Sequence, residues 1–277
     1  MEWSLHIQLL GFGLLAGVLG GLLGIGGGII YVLILPAALL KLGVNPNEVV
    51  AFTVANSLFS TIFTTLSANF RQAGSNQSQW RAIFIIGLTG TILSLLLLHF
   101  VVNSLSYSRK WFDMAFLTIL GYMMIRLGIK VYRQSVQKEW PKDANESNLA
   151  LATTGLAAGV VSPLTGLGGG LVIVPILHSI LHFPIRRANA ISLGAIGLTA
   201  LASSIFNLLG QPESVVSTWQ VGFIIFPVAV SLSLGGICGA FAGVELGKKL
   251  KSQTITILFA LFLGIIFAKK VIEIVSS

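Results

Sequence analysis

The stretch Gly24-Ile25-Gly26-Gly27-Gly28 reappears as Gly166-Leu167-Gly168-Gly169-Gly170, 142 positions further along the chain. Other short matches follow in the same order at similar shifts: Asn45-Pro46 with Phe183-Pro184, Ser57-Leu58 with Ser192-Leu193, and Ser78-Gln79-Trp80 with Ser217-Thr218-Trp219. Because the matches are colinear, we interpret the chain as a tandem duplication. The two copies cover 1–129 and 149–277, and a polar linker, 130–148, joins them.

The composition is that of an integral membrane protein. The chain is 55% hydrophobic and 9% charged, with a mean hydropathy of +0.90, whereas soluble domains carry about 25% charged residues. Most of the Lys and Arg behind the net charge of +8 lie in short segments between apolar runs, as juxtamembrane cations do. These features argue against a soluble enzyme and against nucleic-acid binding. The single Cys238 excludes a disulfide framework.

Ten apolar segments lie between polar breaks, five in each copy: 5–23, 29–42, 49–69, 82–102, 111–129, 149–165, 171–183, 188–209, 219–243 and 253–275. Most approach the ~20 residues that a spanning helix needs. The second segment of each copy is shorter and begins directly after a glycine cluster. Because five is odd, the copies should face opposite ways. The sequence therefore predicts an all-α polytopic membrane protein with two inverted repeats and about 8–10 transmembrane helices.

The cations predict how the chain is inserted. We call the side that holds the N-terminus side A and the opposite side side B. Most Lys and Arg residues between segments fall on side B: Arg71, Arg81, Arg126, Lys130, Arg133, Lys138, Lys142, Arg186, Arg187, Lys248, Lys249 and Lys251. Cytoplasmic loops are rich in Lys and Arg, so side B should be cytoplasmic and both termini should lie outside a plasma (inner) membrane. Met1 to Leu10 lacks Lys and Arg, so we expect a retained first helix and no signal peptide.

Each glycine cluster could form an anion site from backbone alone. Consecutive glycines let the chain turn, and the N–H groups and positive dipole end of the following helix point back at the turn. Paired glycine-interrupted segments in inverted halves mark the central site of many transporters. We therefore predict substrate binding by these glycines: Gly24, Gly26, Gly27, Gly28, Gly166, Gly168, Gly169 and Gly170. The alternative is close helix packing, which glycine also permits.

The third segment of each copy carries polar side chains that could complete such a site. The predicted substrate-binding residues are Thr53, Asn56, Ser57, Asn189 and Ser192, and Thr61 and Thr64 share the helical face of Thr53 and Ser57. The alternative is hydrogen bonding between helices or back to the same helix. Other glycines form rows that fit helix packing: Gly13, Gly17 and Gly21, Gly235, Gly239 and Gly243, and Gly155 with Gly159.

No residue pattern points to catalysis. His, Asp and Glu form no cluster at metal-ligand spacing, and no set of Ser, His and acid is visible. Neither glycine cluster is followed by the lysine of a phosphate-binding loop or lies in a βαβ unit. We therefore expect no catalytic residues, no metal and no cofactor, which disfavours a membrane enzyme.

The glycine clusters also carry a family resemblance. GGLLGIGGG at 20–28 and GLGGGLVIVP at 166–175 resemble the paired signature of the sulfite exporter (TauE/SafE-type) family. The resemblance covers essentially the whole chain, including the duplication. It implies a membrane carrier for small sulfur-containing anions such as sulfite, thiosulfate or organosulfonates.

This sequence departs from the family pattern in two places. The proline expected after the glycines is Pro175 in the second copy, but Leu33 takes that place in the first, with Pro36 further on. The Thr-Ser pair usual in the third segment reads Asn56-Ser57 and Ile191-Ser192. Both departures bear on the choice of substrate.

These features together predict a secondary transporter. One repeat would rock against the other around a central anion site, with a small sulfur-containing anion and the lipid bilayer as partners. An anion leaves a negative-inside cell down its electrical gradient, by about 2.3 kcal/mol per charge per 100 mV, which favours export. Two alternatives stay open here: an anion channel, and a membrane scaffold that delivers a sulfur compound to a partner. The sequence predicts no oligomeric state.

Cysteine labelling tests the predicted orientation. With Cys238 replaced, single cysteines at Ser75 and Asn145 should be shielded from an impermeant thiol reagent in intact cells. Cysteines at Glu213 and Ser276 should react. Labelling at Asn145 but not at Glu213 would reverse the orientation, and labelling at both would contradict the inverted repeat.

Overall fold

The computed structural model describes residues 3–72, 78–102, 109–136 and 146–276, and most of them are helical. The helices are α1 (Trp3–Leu23), α2 (Gly28–Lys41), α3 (Val49–Gln72), α4 (Ser78–Leu97), α5 (Arg109–Val136), α6 (Asn148–Thr165), α7 (Gly170–Pro175), α8 (Ile185–Leu208), α9 (Phe226–Lys249) and α10 (Ser252–Ser276). Two π-helical turns, Leu98–Val102 and Ile176–Ile180, continue α4 and α7. The helices follow the predicted apolar segments one for one.

The helices fall into long and short classes. Among the described residues, six are long and apolar enough to span a membrane: α1, α3, α4, α6, α8 and α9. The 14-residue α2 is too short to span. At about 1.5 Å per residue it rises only ~21 Å, less than the ~30 Å hydrocarbon core. Together α7 and its π-helical turn are shorter still. The prediction of an all-α polytopic fold with two short, glycine-preceded helices is confirmed.

The packing exchanges helices between the copies. α1 packs along α9 and α6 packs along α4, so the first helix of each copy contacts the fourth helix of the other. The third helices, α3 and α8, run in opposite directions, because Gly194 lies beside Asn69 while Gly197 lies beside Thr65. Equivalent helices that run antiparallel are what an inverted repeat requires. The orientation of α3 and α8 is therefore consistent with the predicted inverted repeat.

The glycine rows lie where these helices touch. A methyl on Gly17 of α1 would collide with the carbonyl oxygen of Gly236, and one on Gly239 of α9 would collide with that of Leu14. A methyl on Gly159 of α6 would likewise meet the backbone of Gly90 in α4. Backbones this close need glycine, so the prediction that these rows serve packing is confirmed.

One predicted segment boundary is wrong. The apolar run 219–243 does not begin as a helix, since β1 (Gln220–Val221) pairs antiparallel with β2 (Ile224–Ile225) and α9 starts at Phe226. Gly222 reverses the chain with a φ of 54°, which glycine tolerates. Pro227 then lies in the first turn of α9, where its missing N–H does no harm.

The predicted linker is helical in its first part, because α5 continues to Val136. The division into two copies and a linker stays a prediction. Ser75 and Asn145, the two labelling positions predicted to be shielded, lie outside the described residues.

Several of the cations predicted for side B gather at one end of the helices, whereas Lys138 and Lys142 lie outside the described residues. Arg71 pairs with Glu245 at 3.3 Å, and Arg187 pairs with Glu146 at 2.7 Å. Arg186 donates to the carbonyl oxygen of Lys248 at 2.9 Å. The end of α3, the start of α8 and the end of α9 therefore lie at one end of the protein, as the predicted topology requires. The assignment of that end to the cytoplasm stays a prediction.

Gly17→Ala should lower the thermal midpoint of the purified protein in detergent. The added methyl meets backbone atoms of α9, and forcing packed helices apart costs about 1–3 kcal/mol. Gly11→Ala on the same helix is the matched control, because nothing lies within 4 Å of the added methyl. Tryptophan fluorescence during heating gives both midpoints. Equal midpoints would contradict the close approach of α1 and α9.

Candidate functional site

The two glycine turns meet head to head. Gly28, the first residue of α2, lies against Leu167, and Gly170, the first residue of α7, lies against Ile25. The structure therefore brings the glycines of both clusters together, although the clusters are far apart in sequence.

Both turns have the same unusual backbone. Three glycines of each cluster adopt left-handed conformations: Gly24 (φ 76°), Gly26 (φ 73°), Gly27 (φ 82°), Gly166 (φ 68°), Gly168 (φ 69°) and Gly169 (φ 80°). A residue with a Cβ rarely adopts these angles, which explains why each turn is built from glycine.

Two serines hold the turns across the boundary between copies. The hydroxyl of Ser57 donates to the carbonyl oxygen of Gly166 at 2.8 Å. The hydroxyl of Ser192 donates to the carbonyl oxygen of Gly24, also at 2.8 Å. Both serines are fully buried. A buried carbonyl without a partner is costly, so each serine satisfies the first carbonyl of the turn in the opposite copy.

The two predicted asparagines have different surroundings. The Asn189 amide donates to the Leu22 carbonyl at 3.1 Å, just before the first turn, while its Oδ1 has no partner. The Asn56 amide donates to Phe223 and accepts from the N–H of Ile225. Asn56 therefore ties the β1–β2 hairpin to α3, and Asn189 supports a glycine turn.

Most N–H groups of the turns have no acceptor among the described residues; the exceptions are those of Gly24, Ile25 and Gly166, which donate to carbonyls of the preceding helix. Neither α2 nor α7 has a side-chain cap at its start. Within the described ranges, no hydrogen bond uses the N–H groups of these residues: Gly26, Gly27, Gly28, Ile29, Leu167, Gly168, Gly169, Gly170 and Leu171. Unpaired N–H groups at the positive ends of two helices form an arrangement that can bind an anion.

Thr61 and Ile196 lie between the turns. A methyl placed on Gly26 or on Gly168 would meet the side chains of both residues. Each lies halfway along its helix, and each follows its turn-holding serine by four positions, so the two are equivalent in the repeat. The Thr61 side chain is fully buried and its hydroxyl has no hydrogen-bond partner. The Thr61 atom nearest both glycines is its Cγ2 methyl, so the side chain of Thr61 lies beside both turns.

Sequence reasoning put Thr61 on the correct face of α3 but left it out of the predicted site, and it missed Ile196. The equivalence of the two positions in the repeat is the signal that could have found them. Thr53 is also fully buried with an unpartnered hydroxyl. Its place in the binding site stays a prediction.

Two of the predicted glycines also serve packing. A methyl on Gly27 would lie 2.9 Å from the carbonyl oxygen of Ala16 in α1. A methyl on Gly169 would lie 2.9 Å from the carbonyl oxygen of Ala158 in α6. Substitution there would meet backbone, whereas a methyl on Gly26 or Gly168 would meet the side chains of Thr61 and Ile196.

The two ends of the protein are shaped differently around the turns. At side B, a cavity of about 420 Å³ reaches Leu22 and Asn189 beside the first turn. At side A, the Glu48 carboxylate accepts from the N–H groups of Glu213 and Ser214, both at 2.8 Å. This contact and the Asn56 bonds fasten the segment before α9 over the start of α3.

Six spanning helices and paired glycine turns with free donors are the features of a polytopic membrane transporter. The chain belongs to the Sulfite exporter TauE/SafE family, which it matches over residues 9–269. The resemblance inferred from the glycine clusters is thereby confirmed.

Three relatives described as probable membrane transporter proteins are similar over nearly their whole length. One from Methanocaldococcus jannaschii is 29% identical over 254 residues, which cover 91% of this chain and 90% of the relative. One from Bacillus subtilis is 26% identical over 279 residues, covering 94% and 95%. One from Haemophilus influenzae is 26% identical over 263 residues, covering 92% and 93%. None of the solved structures matches the chain.

Ser57→Ala and Ser192→Ala should each destabilise the protein. Each change leaves a buried glycine carbonyl without its donor, which costs about 1–3 kcal/mol. Ser67→Ala is the control, because the Ser67 hydroxyl only donates to Phe63 of the same helix at 2.7 Å. Thermal midpoints in detergent should fall for the first two variants by similar amounts. Wild-type midpoints in both would show that the serines do not hold the turns.

Proposed function

We propose that the protein carries small sulfur-containing anions, such as sulfite, thiosulfate or organosulfonates, across the plasma membrane by alternating access. The observation that carries the proposal is the meeting of two glycine turns, most of whose N–H groups have no acceptor among the described residues. The substrate class in this proposal comes from the description of the family, Sulfite exporter TauE/SafE.

The chemistry of the turns suits a transported anion. The residues around them offer backbone N–H groups and the neutral hydroxyl of Thr61, which bind oxyanion oxygens without a fixed counter-charge. A site of this kind can release its ligand, which a carrier requires. In this proposal the glycine N–H groups and Thr61 contact the anion, while Ser57 and Ser192 position the turns.

Ile196 implies a movement. Its side chain fills the space beside Gly26 and Gly168, so an anion can bind there only when the third helices separate. The cavity at side B and the fastened segment at side A support a carrier that is open towards side B and closed towards side A. Rocking of one repeat against the other would exchange these two states.

The predicted orientation favours export. With side B in the cytoplasm, the open cavity faces the source of an anion that leaves down the membrane potential. An anion channel would instead conduct at rates far above carrier turnover, and the Ile196 side chain between the turns disfavours a continuous path. A scaffold would bind no anion and would show no flux.

Flux measurements in proteoliposomes test the proposal. The panel is sulfite, thiosulfate, sulfate, sulfoacetate and taurine, each loaded inside or outside vesicles with an imposed potential. We expect saturable flux of at least one sulfur anion, faster when the potential drives export. Absence of flux for the whole panel, or unitary currents in planar bilayers, would contradict a carrier of sulfur anions.

Thr61→Val tests the central donor. The change keeps the shape and removes a hydroxyl that has no protein partner, so the fold should persist. Loss of one hydrogen bond to an anion should lower flux by about tenfold or more. Thr65→Val is the matched control, because the Thr65 hydroxyl already donates to the Thr61 carbonyl at 2.8 Å. Equal flux in the two variants would remove Thr61 from the site.

A further inference from the structure

The cavity at side B has a basic rim. Arg186 and Arg187 enter it from the start of α8, and Lys248 enters it from the end of α9. No carboxylate belongs to its wall within the described parts of the chain. A concave surface that carries three cations concentrates anions.

The three cations are held to different degrees. Arg186 donates to the carbonyl oxygens of Lys248 and Leu250 at 2.9 and 3.2 Å, and Arg187 is paired with Glu146. The Lys248 ammonium contacts the Glu245 carboxylate at 3.5 Å, and both side chains are about half exposed. Such surface pairs are weak, so the Lys248 ammonium can turn to a ligand. Arg186 supplies fixed positive charge, while the charge of Arg187 is offset by Glu146.

Asn189 and Gln72 both belong to the wall of this cavity, and each carries a buried oxygen with no hydrogen-bond partner among the described residues. Asn189 is 2% exposed, and because its amide nitrogen donates to Leu22, its unpartnered Oδ1 is fixed as an acceptor. The Oε1 atom of Gln72 is buried and unpartnered as well. An acceptor repels the oxygen atoms of a bare anion but accepts a hydrogen bond from an anion that carries an O–H or N–H group.

We infer that this cavity is a second binding site, selective for small anions that carry their own O–H or N–H donor. The cations hold the charged end, and the Asn189 and Gln72 oxygens accept from the donor. Asn189 also contacts Gly24, so an anion in the cavity lies next to the first glycine turn. The inference rests on the proposed function, because it makes the cavity the approach to the central site.

Two matched ligand pairs test the selectivity by calorimetric titration of the purified protein. Ethanesulfonate and isethionate differ by one hydroxyl. Sulfate and the hydrogen phosphate dianion have the same charge, and only the second carries a proton. The pairs distinguish an organic donor from an inorganic one. We expect the donor-bearing member of at least one pair to bind about fivefold or more tightly, as one hydrogen bond provides. Equal affinity within both pairs would overturn the inference.

Single variants assign the binding to this cavity. Lys248→Gln should weaken the binding of isethionate or hydrogen phosphate by about tenfold. Lys251→Gln removes the same charge at the same end from an exposed residue outside the cavity wall, and it should change affinity little. Gln72→Met should reduce the preference for the donor-bearing ligand while the donor-free ligand binds as before. Equal losses of affinity in the two lysine variants would show that general surface charge explains the binding, and would overturn the inference.

The Thr61→Val variant separates this inference from the proposed function. If the cavity is a site of its own, Thr61→Val should lose flux and keep the calorimetric binding. Normal flux in the wild type without any donor preference would reject the inference and leave the carrier standing. Donor-selective binding in a protein that shows no flux for any anion would support the cavity site and reject the carrier.

Discussion

Backbone groups inside a membrane must find partners within the protein, and this constraint governs the whole molecule. A chain that turns back partway along its helices exposes both carbonyl and N–H groups. Here Ser57 and Ser192 satisfy the first carbonyl of each turn, while most of the turn N–H groups have no partner among the described residues. The carbonyl side of each turn therefore serves the fold, and the N–H side is available for a ligand.

Much of this arrangement could be predicted from sequence, because glycine clusters and apolar runs are local signals. The helices, the short segments and the packing rows follow from them. The hairpin before α9 could not, because the apolar residues of 219–225 look like the start of a helix. The hydrogen bonds of Ser57 and Ser192 could not be predicted either. A hydroxyl on this face of the helix could bind a ligand or a carbonyl of the other copy, and the sequence does not distinguish the two. The cavity at side B could not be predicted from the sequence, because its shape depends on how several helices pack.

The two copies share a backbone plan but differ in the side chains that matter most. Thr61 faces Ile196 across the turns, and Asn56 has Ile191 as its counterpart. If the copies were identical, the states open to either side would have equal energies by symmetry. Bonds that exist on one side only, such as those of Glu48 and Asn56, break this degeneracy and favour one state.

The exchange of helices between the copies also constrains biosynthesis. α1 is made first, yet the helix that covers its glycine row is α9, which leaves the ribosome more than two hundred residues later. Until then the row faces lipid, and the Gly24 carbonyl awaits Ser192. Membrane insertion and final packing must therefore be separate stages. The first half alone would be inserted but unfinished, and quality-control proteases would meet it in that state.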